Sequence, residues 1–195
     1  MNRKTAEKRR RTRIAAFIAS LALVAAAGAV CADIVVRALY PQRYGELIES
    51  SCEEFGVDES LVYAVIHTES GFDPQARSEA GAMGLMQLMP ETFGWLQTKL
   101  PGDGDAPLPS ESLFEPEINV RYGVFYLAML HERFGDDTLT IAAYHAGQGQ
   151  VGRWLRDEQV PPSGCGADDI PSRATGHSVS KVAHAREIYL RLYDI

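Results

Sequence analysis

The sequence predicts a mainly α fold, one helical domain following an N-terminal membrane-spanning helix. Three observations carry that prediction. Apolar residues recur at three- and four-residue spacings through most of the chain, Gly, Pro and Asp punctuate the runs where helices start and stop, and no alternating apolar and polar stretch is long enough to be a convincing strand. At 195 residues the chain can bury a single sizeable core, and no internal repeat breaks it up.

The first thirteen residues hold seven Lys or Arg against one acid, Glu7, a charge of +6, which leaves −13 for the remainder of a chain whose total is −7. An acidic body is unsuited to wrapping nucleic acid, where phosphates need basic faces. Residues 14–32, IAAFIASLALVAAAGAVCA, contain no charge, and nineteen such residues nearly span a bilayer as a helix. The expected organisation is a basic cytoplasmic tail over 1–13, a transmembrane signal anchor over 14–32, a connector over 33–42 and a catalytic-type domain over 43–195. Basic residues before the span keep the N-terminus in the cytoplasm and place the domain on the other side. Ala27-Gly28-Ala29 leaves open the alternative of a cleaved signal and a secreted domain.

In the domain, the first helix is predicted over Tyr44 to Phe55, with Leu47, Ile48, Cys52 and Phe55 as its stripe and Gly56 as its stop. Asp58 caps the next, which places Leu61, Val62, Val65 and Ile66 on one face and ends at Glu69, before the stop at Ser70-Gly71 and the turn at Asp73-Pro74. Glu69 shares the buried stripe, so burial should raise its pKa and let it hold a proton near neutral pH. A glycine-rich stretch then leads to Pro90, suited to a helix first turn, and LPGDGDAPLPSES reads as a surface loop. A long helix over Glu117 to Phe134, with Val120, Val124, Leu127 and Leu130 inward, reads as the central core helix. Asp137 is expected to cap a helix ending at Tyr144-His145-Ala146-Gly147. A short helix around Val151, Trp154 and Leu155 follows, then irregular chain over 157–178 and a last helix over Val179 to Tyr193. Cys52 and Cys165 can be read either as a disulfide in an oxidising compartment or as buried free thiols. His67, His131, His145, His177 and His184 form no ligand spacing, so no metal site is expected.

Three motifs stand in order: Glu69-Ser70 closing a helix, GAMGLMQLMP over 81–90, and Ala143-Tyr144-His145-Ala146-Gly147. Together they resemble the soluble-type lytic transglycosylases of bacterial cell walls, whose catalytic domain belongs to the α+β lysozyme-like superfamily, and the resemblance covers roughly Tyr44 to Tyr193. It implies that Glu69 is the sole acid and base. Glu69 would protonate the glycosidic oxygen between N-acetylmuramic acid and N-acetylglucosamine, then take the proton of the muramic C6 hydroxyl, leaving a 1,6-anhydro end. It further implies substrate contacts at Ser78, Gln87, Met89, Tyr144 and His145, peptidoglycan glycan strands as the partner, and no cofactor; the N-terminal helix adds the membrane, and an envelope-machinery partner is left open. From the residues alone, Ser78 also fits a loop serine capping backbone amides, Tyr144 a core tyrosine, and Met83, Met86, Met89 and Leu88 core packing.

The chain departs from the family's pattern at three places. His145 stands where Asn is common, and Ala174 and Ser178 stand where an acid and a tyrosine usually precede the last helix; His177 lies beside the missing tyrosine. These departures motivate the alternative of a glycan-binding or scaffolding module without turnover. A hydrolase of goose-type lysozyme kind would need a second carboxylate, for which Asp73 is the nearest and reads as a turn residue.

Overall fold

The computed structural model describes residues 3–100, 107–193 and 195. The acid- and glycine-rich core of the expected surface loop, residues 101–106, and the charged side chains of the tail through residue 12 lie outside the described residues. The chain divides into two units, Met1–Pro41 and Gln42–Ile195.

The first unit is α1 (Arg3–Leu39). Its segment Phe17–Leu39 is long and apolar enough to cross a membrane. Helix continues through most of the expected connector, where Arg37 donates to Asp33 at 2.9 Å one turn away. Pro41, which has no backbone N–H to continue a helix, follows shortly after its end.

The second unit contains α2 (Gly45–Phe55), α3 (Glu59–Glu69), α4 (Pro90–Gln97), α5 (Pro116–Phe134), α6 (Asp137–Ala146), α7 (Gln148–Arg156) and α8 (Arg173–Tyr193). Its punctuation follows the sequence closely. Gly56 and Gly135 end α2 and α5 in the left-handed conformation, where glycine carries no Cβ penalty. The Asp58 carboxylate accepts from the Leu61 N–H at 3.2 Å. No β-strand occurs among the described residues; two isolated bridges, Arg77 with Met83 and Met83 with Leu88, are the nearest approach to one.

Several expectations change. The cap of α6 is Asp136, which accepts from Leu139 N–H at 3.0 Å, while Asp137 is the first helical residue and its carboxylate takes the Arg186 guanidinium at 2.6 Å. The last helix begins at Arg173, six residues before Val179. Pro171 precedes the helix instead of breaking it, and the Ser172 hydroxyl accepts from the Thr175 N–H at 3.3 Å. Gly176 lies inside the helix because a Cβ there would sit 2.6 Å from the Ala167 carbonyl oxygen. The expected surface loop ends in a 3-10 turn, Ser110–Phe114, with Leu113 fully buried. Cys52 and Cys165 are both buried and free.

The most enclosed element is α3, not α5. Every residue from Ser60 to Ile66 is buried, so the helix is covered all round and not along one stripe. Such a helix lies inside the core rather than against it. Tyr63 stacks on Tyr189 of α8 with centroids 5.2 Å apart. The acid at its C-terminal end is therefore carried by the least exposed element of the domain.

Candidate active site

Glu69 is the last residue of α3, and the chain reverses immediately after it. Ser70 is the C-cap, and Gly71 and Phe72 both adopt positive φ, 60° and 67°. Left-handed backbone costs a bulky residue about 1 kcal/mol or more, and burial of the Phe72 ring, 1% exposed, offsets it. The Ser70 hydroxyl accepts from Phe72 N–H at 3.2 Å and donates to the Leu85 carbonyl at 2.7 Å. The serine thus ties the end of the acid's helix to the glycine-rich loop.

That loop is a small hairpin. Met83 and Leu88 exchange backbone hydrogen bonds at 2.9 and 3.1 Å, and Gly84 N–H donates to Ala76 at 2.9 Å. Its backbone is held from two further helices. Asn119 of α5, fully buried, donates to the carbonyls of Met83 and Leu113, each at 2.8 Å, and accepts from Met86 N–H at 2.7 Å. Tyr144 of α6 donates to the Met86 carbonyl at 2.8 Å. Gly84 has no room for a side chain, because a Cβ would lie 2.1 Å from the Leu113 oxygen and 2.2 Å from Asn119 Nδ2. Gly123 leaves space for the Met86 sulfur in the same way, 2.3 Å from where its Cβ would be. Three side chains from α3, α5 and α6 therefore fix one short backbone segment, with their buried polar groups satisfied.

Gln87 emerges from this clamp at φ 49°. Its amide nitrogen is spent on the Gly84 and Ala76 carbonyls, at 2.8 and 3.1 Å, so what it can offer a ligand is the amide oxygen. Of the methionines, Met83 and Met86 are buried with Leu85 and Leu88, whereas Met89 is 38% exposed. A cleft of about 250 Å³ is lined by Gln87, Met89, Thr92, Tyr126, Tyr144 and His145, among others. Tyr126 lies against Tyr144 at 5.4 Å and Trp95 at 6.3 Å between centroids.

Burial pushes Glu69 up to about 7. No cation lies within 4 Å of its carboxylate among the described residues. Burial likewise drives the Tyr144 phenol well up, with the charges of Glu69 and Tyr126 adding to it, so Tyr144 stays a donor and feels the acid directly. His145 is exposed, and what burial it has lowers its pKa, favouring neutral imidazole.

The structure brings Gln87, Met89, Tyr144 and His145 to one cleft; Glu69 is not among the residues lining it, and its charge reaches the Tyr144 phenol. Ser78 is placed differently. It is exposed in the turn that precedes the hairpin, its hydroxyl accepting from Ala82 N–H at 2.9 Å, the turn-capping reading. Asp73 is exposed and accepts from Gln75 N–H at 2.9 Å, a turn carboxylate. On α8, Ala174 and His177 are exposed and Ser178 is buried; none of the three lines the cleft. Sequence reading missed Asn119 altogether, together with the reason for Gly84. A lone amide inside an apolar helical stripe was the available signal.

Residues 46–162 match the family described as Transglycosylase SLT domain. The membrane-bound lytic murein transglycosylase C of Histophilus somni (strain 2336) is 36% identical over 138 residues, 67% of this chain and 37% of that protein. The chain thus spans little more than a third of the length of such relatives. Among solved structures, the 70 kDa soluble lytic transglycosylase of Escherichia coli superposes with a TM-score of 0.70 at 28% identity, covering 80% of this chain and 25% of that one. The lytic transglycosylase Slt of Pseudomonas aeruginosa gives 0.66 at 31% identity, covering 78% and 24%.

Proposed function

Given that the chain belongs to the Transglycosylase SLT domain family, we propose that it is a membrane-anchored peptidoglycan lytic transglycosylase with Glu69 as its acid and base. The observation that carries this reading is the buried carboxyl of Glu69, held to about 7 beside a cleft and without a neighbouring cation. A carboxyl poised there is protonated in a large share of molecules at neutral pH, as a general acid must be, and after donating its proton it is a competent base.

In this mechanism Glu69 protonates the oxygen of the β-1,4 bond between N-acetylmuramic acid and N-acetylglucosamine. The C–O bond breaks, and the muramic C6 hydroxyl attacks the anomeric carbon. Its proton returns to the Glu69 carboxylate, closing a 1,6-anhydro ring without water. Tyr144 and the clamped loop hold the Gln87 oxygen toward the sugar, Met89 offers an apolar face, and His145 donates or accepts one hydrogen bond. Exposed Asp73, occupied with its own turn, is a poor second carboxylate for hydrolysis.

The basic tail supports a single-pass topology with the domain outside the cytoplasm, anchored if the signal is retained and secreted if it is cleaved. Digestion of purified sacculi with mass analysis tests the function. Anhydromuropeptides from the wild-type chain, absent with Glu69→Gln, are the expected result, and products one water heavier would identify a hydrolase. The exposed Ala174 and the missing tyrosine at Ser178 favour a second reading, a glycan-binding module without turnover. That reading requires the chain to pull down with sacculi while releasing no soluble product.

A further inference from the structure

The helix that leaves the cleft carries an uncompensated cluster of arginines. Gly147, which lines the cleft, is also the N-cap of α7. Arg133 of α5 hydrogen-bonds the Gln148 amide oxygen, and Arg153 bonds that of Gln150. The guanidinium nitrogens of Arg133 and Arg156 both lie within 3.6 Å of one point, the position a Cβ would take at Gly152. That of Arg153 lies 4.0 Å from the corresponding point at Gly149, in the first turn. All three arginines are exposed.

None of the three has an acid within 4 Å among the described residues. Elsewhere in the domain Arg121, Arg186 and Arg191 are paired with carboxylates. The partners of Arg133 and Arg153 are instead neutral amides, which orient a guanidinium and leave its charge whole. In a chain whose residues beyond the tail sum to −13, like charges gathered without counter-ions mark a place for an external anion. Guanidinium suits a carboxylate in particular, through paired N–H donors.

We propose that Arg133, Arg153 and Arg156 form a docking surface for the carboxylates of the peptide stems borne by the glycan strand in the cleft. This inference rests on the peptidoglycan reading of the cleft. Continuity selects this occupant: Gln148, whose amide Arg133 holds, directly follows Gly147 of the cleft lining, and the peptide stems are the carboxylate-bearing groups attached to a strand that would lie in that cleft. The surface makes the chain prefer peptide-bearing strands to bare glycan, through binding and not through the chemical step.

The test uses the full chain and the triple variant Arg133→Gln, Arg153→Gln, Arg156→Gln, on sacculi and on the same sacculi stripped of peptides by an amidase. Sedimentation binding and product release are both measured, across salt concentrations. The wild-type chain is expected to bind the peptide-bearing material about three- to tenfold more tightly, the effect expected of a few exposed charge pairs, with the preference fading as salt rises. The triple variant loses the preference and keeps its binding and turnover on stripped glycan. A wild-type chain with no preference, or a variant that keeps it or falls equally on both substrates, overturns the proposal. So does a variant whose only loss is binding to anionic phospholipid vesicles, which would assign the surface to a membrane. A salt-sensitive preference without any anhydro product would leave this surface standing and sink the enzymatic reading alone.

Discussion

Two stretches that the sequence marks as parts of the site, the loop over 83–88 and the helix start over 173–178, are built in opposite ways. The loop has little regular structure, yet side chains from three helices hold its backbone: Ser70, Asn119 and Tyr144. The helix start is regular and self-sufficient, with Ala174 and His177 turned to solvent. Two of the three departures from the family's pattern, Ala174 and Ser178, fall in the second stretch, and the third, His145, lines the cleft, while the first stretch keeps every residue that its geometry demands. On the proposed reading, function depends on irregular backbone fixed from outside, and substitutions at the helix start are expected to be absorbed.

Substitutions ranked by effect put that contrast at risk. Glu69→Gln is expected to lower turnover of sacculi by about a thousandfold or more, since it removes the proposed proton donor. The same change is expected to stabilise the fold in mild alkali. The folded-state pKa of Glu69, about 7, lies above its ordinary 4.5. The folded form therefore holds the proton more tightly, and stability declines as pH rises from 4.5 to 7 and stays lower above. Denaturant melts at pH 8 should show a gain of at most about 3 kcal/mol for the variant, and none at pH 4.

Asn119→Ala comes next. It strands a buried N–H and two carbonyls, and should cost about 2–4 kcal/mol in chemical denaturation as well as most of the activity. Tyr144→Phe removes one hydrogen bond to the Met86 carbonyl, with an expected cost of about 1 kcal/mol and a loss of kcat greater than any rise in KM. His145→Asn should change kcat/KM by less than about tenfold, one hydrogen bond's worth, while abolishing whatever part of the acid limb of the pH profile belongs to imidazole. Smallest of all, Ala174→Glu should leave stability within about 0.5 kcal/mol and turnover nearly unchanged. A large gain there would show that the helix start does reach the substrate and would break the contrast.

Much of this was legible in the sequence, because it depends on local chemistry. Asp58 before an apolar run and Gly56 and Gly135 after one can be read residue by residue, and the mainly helical character followed from such signals, whereas the lysozyme-like fold and the role of the Glu69 loop came from the resemblance carried by the three motifs. What was not legible depends on partners distant in sequence. Asn119 takes its meaning from backbone groups more than thirty residues away. Gly176 falls in the stretch read as irregular, and its place inside a helix makes sense only once Ala167 is seen against it. At Asp136-Asp137 both residues suit a cap, and only the Arg186 guanidinium, at Asp137, tells them apart. Even α3 was half seen: four apolar positions suggested one buried stripe, but α8 and α2 both pack against it and every residue from Ser60 to Ile66 is buried.

The enclosure of α3 from Ser60 to Ile66 has a dynamic consequence. Its amides have no exposed face from which to fray, so those of Val62 to Ile66 should exchange with deuterated solvent only through global opening, at the slowest rate in the molecule. An acid mounted on such an element cannot be switched off by loosening its own helix. Control of this cleft is expected from its exposed side, through whatever reaches or leaves His145 and the arginines beyond it.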